Sequence, residues 1–336
     1  MSGARKRGLV RLVVLVGVVA WLVVLAARGW LGGGSDTHPT SAARALGSGV
    51  PARLTGTTGS MRLPQPLHGA TAASTHDSLL VIGGADRSDV STDKVVALDR
   101  HTGRTSVAGT LVQPLHDAAA ATLDGHTVVF GGGAATTYDT VQELTPGGTA
   151  HQIGHLPAAL SDLSAVTTAG AAYVLGGYDG RRPSASVYRT IDGRRFTTSG
   201  SLPTAVRYTA AAAIGDRIYT FGGESATGSD TDQIQEYDAN TGRASVVGRL
   251  PETVSHASAV ALGGIIYLLG GRRARAASDQ ILRFDPAKSI VSPAGSLPSG
   301  VFDAAAAVTG GGCFLAGGIG ATGTSLDSVI FIGGSD

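Results

Sequence analysis

The chain has 336 residues, a formal net charge of +1 and one cysteine, Cys313. A charge so near zero gives no electrostatic case for nucleic acid. A single thiol excludes an intramolecular disulfide, so a domain in an oxidising compartment must hold together by packing alone. Its 50 glycines are about twice the usual share and follow no G-X-Y period, which points to many tight turns and not to collagen.

Residues 1–11 carry Arg5, Lys6, Arg7 and Arg11 and no acid. Residues 12–27 are then 16 positions without a charge, with Trp21 inside the run and Trp30 just beyond it. Counting Leu9 and Val10, with Arg11 snorkelling to the headgroups, the span reaches 19 residues; a bilayer core needs roughly 17–25. The segment therefore reads as a basic cytoplasmic tail (1–11) and one N-terminal transmembrane helix, a signal-anchor (12–31). The basic flank stays cytoplasmic. A cleaved signal peptide is the alternative, with Val24-Leu25-Ala26 as its cleavage site. The first reading gives a single-pass cell-membrane protein and the second a secreted one; both place the remaining chain outside the cytoplasm. Residues 32–50 lack periodic apolar positions and read as a flexible linker.

From there a short apolar run ending in Gly-Gly returns six times, with first glycines at Gly83, Gly131, Gly176, Gly222, Gly270 and Gly317, spaced 48, 45, 46, 48 and 47 residues apart. A fixed period of this size signals a repeat architecture. In the unit 203–250, strands are predicted at 209–213, 217–221, 233–237 and 244–248, with Gly215-Asp216 as a hairpin turn. That is one four-stranded antiparallel sheet per unit. Leu-Pro junctions recur at Pro64, Pro157, Pro203, Pro251 and Pro298, with Leu111-Val112 in the second place. The first strands hold alanine runs at 118–121, 210–213 and 304–307, where β-branched residues are usual. Only small side chains fit where innermost strands converge on an axis, as in a β-propeller.

The predicted architecture is thus all-β, a six-bladed β-propeller over 51–336 with blades at about 64–111, 112–156, 157–202, 203–250, 251–297 and 298–336. The last unit lacks a fourth strand, and residues 52–62 resemble a fourth strand without a blade. Pairing the two closes the ring and buries an edge.

The six Gly-Gly units, with Tyr188 and Tyr237 at the following aromatic position, resemble the kelch repeat family. The Trp of the kelch unit is missing from every repeat, with Thr105 and Ala244 near its place. The resemblance covers about 52–336 and implies the propeller fold; kelch propellers host binding, scaffolding and some enzymes. It also implies that residues entering each first strand line one mouth of the channel. Four and five residues after each junction these are His68, His116, Asp117, Asp162, Arg207, Tyr208, His256, Phe302 and Asp303. Such a ring suits either contacts between blades or a ligand-binding mouth. Loops after the Gly-Gly pairs give a second candidate surface, acidic at Asp86, Asp89, Asp230 and Asp232 and basic at Arg181, Arg182, Arg272 and Arg273, a charge-segregated rim able to steer a partner.

No catalytic triad order, nucleophile elbow, metal spacing or cofactor motif is present. Residues 190–196 faintly resemble the sialidase Asp-box and read as a hairpin turn. Kelch-type copper radical oxidases need a Cys cross-linked to a Tyr, whereas Cys313 reads as a buried inert thiol. Three functions remain: a membrane-tethered kelch module that binds or scaffolds a protein or carbohydrate partner, a carbohydrate-active, epimerase-like enzyme using the channel mouth, or a purely structural envelope protein.

Overall fold

The computed structural model describes residues 51–75, 78–99 and 102–334; the expected cytoplasmic tail, signal-anchor and linker lie outside the described residues. Among the described residues there is no helix, and therefore none long and apolar enough to cross a membrane. Strands arrange into six antiparallel four-stranded groups; five run in chain order from an inner to an outer strand, and the sixth takes its outer strand from the N-terminal end. In the fourth these are Ala210–Ile214, Arg217–Phe221, Gln233–Asp238 and Ala244–Arg249. The first strand starts one residue later than expected because Tyr208, just before it, is held at φ 53° and Thr209 turns its hydroxyl onto the Phe221 carbonyl.

No single core holds the molecule. Buried apolar residues gather into six clusters among the described residues, and each cluster draws from two adjacent blades. Ile218 packs towards Tyr173 and Leu175 of the blade before, while Tyr219 packs towards Phe284 of the blade after. Each inner sheet is thus buried on both faces. This explains why its second strands read as continuous apolar runs instead of alternating ones; in Ile265–Leu269 every residue is buried.

The Gly-Gly pairs clamp neighbouring blades. The second glycine donates its N–H to a carbonyl entering the next blade: Gly84 to Leu115, Gly132 to Leu160, Gly223 to Val254, Gly271 to Val301 and Gly318 to Leu67, all at 2.8–2.9 Å. The first glycine makes room for that approach. Gly222 lies at φ 61°, and a Cβ there would come within 2.1 Å of the Val254 oxygen.

The ring closes through the N-terminal strand Leu54–Leu67, which runs antiparallel to the last strand, Leu326–Gly334, from Leu54 opposite Gly334 to Leu67 opposite Leu326. It is longer than the expected 52–62 and passes through Pro64 and Pro66, which its outer edge position tolerates. Leu54 also pairs in parallel with Gly295 of the fifth blade. Cys313, fully buried, stands opposite Ile332 in the same sheet, and burial pushes its thiol up to about 12.

Two outcomes are expected. Deleting residues 50–62 removes Leu54 from the cluster between blades five and six and lowers the melting of the whole propeller in one transition; melting like the intact chain would refute closure by this strand. Gly222→Ala forces both a left-handed alanine and a carbonyl collision, and costs on the order of 2 kcal/mol or more in urea unfolding.

Candidate functional site

The residue five places after each junction adopts the left-handed conformation in all six units: Gly69, Asp117, Asp162, Tyr208, His256 and Asp303, with φ between 53° and 59°. Each donates its backbone N–H to the carbonyl of its counterpart in the preceding unit at 2.7–3.0 Å, and Gly69 donates to Asp303, so the hydrogen bonds form a closed circle around the axis. Five non-glycine residues in a region that L-residues rarely occupy mark this neck as locally strained backbone held by its surroundings. Only the first unit has glycine, because the Asp117 carboxylate fills the place of its Cβ, 2.6 Å away.

The neck side chains join around the circle. His256 Nδ1 meets Asp303 Oδ1 at 2.5 Å, and its ring stacks on Tyr208 at 3.7 Å between centroids. The Tyr208 hydroxyl turns to Asp162, and Asp162 in turn contacts Asp117. Burial, joined by the charges of Asp303 and Asp162, holds the Asp117 carboxyl well above the ordinary range. Burial also raises Asp162 and, more strongly, the Tyr208 hydroxyl. The six neck residues and the small residues after them, among them Ala70, Ala118, Ser164, Thr209 and Ser258, line an open cavity of about 220 Å³.

One residue earlier, each chain pairs with the residue that comes after a Gly-Gly, so the loops after Gly-Gly stand directly over the neck. Arg207 pairs with Glu224 at 2.6 Å, reaches Asp162 at 3.5 Å and lies over the Tyr178 ring at 4.7 Å. His116 and His68 latch blades together through Ser91 and Ser325, at 2.8 and 2.9 Å. Burial, helped by His68, lowers the His116 pKa. Phe302 packs edge-on against His256.

The loop residues separate into different roles. Arg272 crosses to Asp230 at 3.2 Å and Glu224 at 3.5 Å, so the acidic loop of blade four and the basic loop of blade five neutralise each other, and the expected charge segregation does not exist there. Arg273 is not on the surface: it is 6% exposed and its three guanidinium nitrogens have no hydrogen-bond partner. Asp86 accepts the N–H groups of Ser88 and Val90 and closes its own loop. Asp232 pairs with Arg249. Arg181 is exposed, Arg182 leans on Asp179, and Asp89 reaches His68 at 3.4 Å. Tyr178, Ser91 and Ser325 went unrecognised in the sequence. Aligning the residue immediately after each Gly-Gly would have found Tyr178, since the same position holds Glu224 and Arg272.

Residues 190–196 form a turn in which Asp192 accepts the N–H groups of Arg194 and Arg195. Among the described residues no group of three or more His, Cys, Asp or Glu is placed to hold a metal ion.

Residues 254–298 match the family model of the kelch motif. The solved structure of YjhT superposes with a TM-score of 0.70 at 16% identity, over 80% of this chain and 95% of that one, and so shares the fold. Among curated proteins none matches the sequence.

Asp117 and Asp162 are raised in the folded state, so the fold binds their protons more tightly than the unfolded chain does. Their contribution to stability is complete below the ordinary carboxylate pKa near ~4 and is lost as pH rises through the raised values. Asp117→Asn removes the larger part. Its urea midpoint should exceed that of the unsubstituted chain at pH 7, and the two should converge towards pH 4.

Proposed function

We propose that this kelch-type propeller is a binding module, tethered to the membrane by its N-terminal segment outside the cytoplasm, and that its neck face recognises a protein or small polar ligand. One observation carries the reading: the two faces are built differently. On the far face, first and second strands are joined by two-residue turns at 124–125, 169–170, 215–216, 263–264 and 310–311. On the neck face, the loops after Gly-Gly rise over the cavity and carry Glu224, Asp230, Arg272 and Tyr178. Loops on a rigid scaffold are where recognition residues concentrate. The tether supports the same reading, since holding the module at a surface raises its effective concentration for partners there.

A second reading, an epimerase-like enzyme on carbohydrate, is favoured by the pairing of Asp117, biased to its protonated form, with His256, oriented by Asp303, on one cavity. A carboxyl held in its protonated form beside an oriented imidazole can serve as acid and base.

Replacing His116, Arg207 and His256 together with Ala separates the two. A binder that uses its loops retains the partner captured by the intact chain, measured by affinity pull-down of the full-length protein from membranes. A channel enzyme loses turnover of its sugar. Absence of any dominant partner in the unsubstituted pull-down would refute the binding reading.

A further inference from the structure

Arg273 carries the largest unmet demand for hydrogen bonds among the described residues. Its Nε, Nη1 and Nη2 are all buried, and none has a hydrogen-bond partner. A guanidinium stays charged in a protein and can only donate. Taking such a charge out of water costs free energy that only a matched counter-charge returns. None is in place. No acid among the described residues forms an ion pair with Arg273, and Glu252, the one acid whose charge it feels, is exposed. Glu224 and Asp230, which hold Arg272, do not serve its neighbour, because alternation along the strand turns Arg273 to the opposite side.

The segment that carries Arg273 is short and strained. Arg272–Arg273 pairs with Ala276–Ala277 across a two-residue turn. Ala274 and Arg275 fill that turn at φ 46° and 68°, positions where Asn-Gly is the usual pair and a larger side chain is strained. On its inner side the hairpin is anchored by the backbone bonds exchanged between Arg272 and Ser255, at 2.7 and 3.2 Å. Arg275 stands exposed at the tip and adds a second cation that forms no ion pair among the described residues.

We infer that the hairpin after Gly270-Gly271 is a carboxylate-binding site, in which the Arg273 guanidinium gives two parallel hydrogen bonds to the anion once the hairpin tilts to admit it. The fork of N–H groups matches the two oxygens of a carboxylate, and one such anion supplies both the missing acceptors and the missing charge. A neutral acceptor supplies only the first. Arg275 at the rim draws anions towards the hairpin. The site does not depend on the binding reading of the neck face, because the unmatched charge stands whatever the neck recognises.

The test is urea unfolding of the full-length chain at pH 7 in sodium chloride and in sodium acetate of matched ionic strength, beside Arg273→Met and Glu252→Gln. In chloride, Arg273→Met should unfold at a higher urea concentration than the unsubstituted chain, since an apolar side chain replaces an unpaired buried charge. At about 0.2 M acetate the folding constant of the unsubstituted chain should rise about fivefold over that of Arg273→Met, the linkage expected of a site with a Kd of about 50 mM. Any general effect of acetate on folding is common to both proteins and cancels in this ratio. Glu252→Gln alters an exposed side chain and removes the acid that opposes an incoming anion, so it should enlarge the acetate response. An equal response of the unsubstituted chain and Arg273→Met would overturn the inference. So would a lower midpoint for Arg273→Met in chloride, which marks a guanidinium already paired. Should Arg273→Met fail to fold, Glu252→Gln decides: an acetate response unchanged or diminished relative to the unsubstituted chain overturns the site.

Discussion

Six backbone hydrogen bonds passed from blade to blade around the axis are the constraint on which the rest of the structure depends. For the circle to close, every unit must turn through a left-handed residue at the same height. That turn fixes where the next strand starts and how near the axis it runs, and so why its residues must be small. It also fixes what the neck presents, because every turning residue lines the cavity, five of them with a side chain. The Gly-Gly clamps form a second belt outside the first, one carbonyl per blade. Between the two belts the blades have little freedom to slide.

Apolar packing obeys the same logic. Because every cluster is shared by two blades, no blade owns its core, and none can be removed without stripping two neighbours. One of these junctions is reinforced by an aromatic pair. Tyr237 packs against Tyr173 of the preceding blade and donates its hydroxyl to the Ser199 carbonyl at 2.8 Å. The paired rings and the satisfied hydroxyl join the third and fourth blades.

Much of this was legible in the sequence because it is written six times. Gly-Gly, the Leu-Pro junction and the alanine-rich strands each repeat, and the unpaired strand at each end of the repeat array announced its partner. The left-handed circle was not legible. Gly69 and the aspartates Asp117, Asp162 and Asp303 hint at it, being residue types that tolerate a left-handed backbone, but Tyr208 stands in the same place; what all six share is a main-chain conformation imposed by closure. The Arg272–Glu224 pair was hidden for a different reason. Its partners stand 48 residues apart and meet only once adjacent blades are assembled. Arg273 escaped because its neighbour Arg272 is partly exposed, and alternation across a two-residue strand decides which of the two turns inward. The first strand of the fourth blade began a residue late because the Thr209 hydroxyl took over the Phe221 carbonyl.

Cys313 gives the closure strand an unplanned use. The thiol faces no solvent and is held in its unreactive, protonated form, yet it sits opposite Ile332, which pairs in turn with Gly56 of the closing strand. Nothing exposes it while the seam is shut. It is a timekeeper built into the ring: the rate at which a small thiol reagent consumes it, once faster than reclosing, reads how often the first and last strands part company.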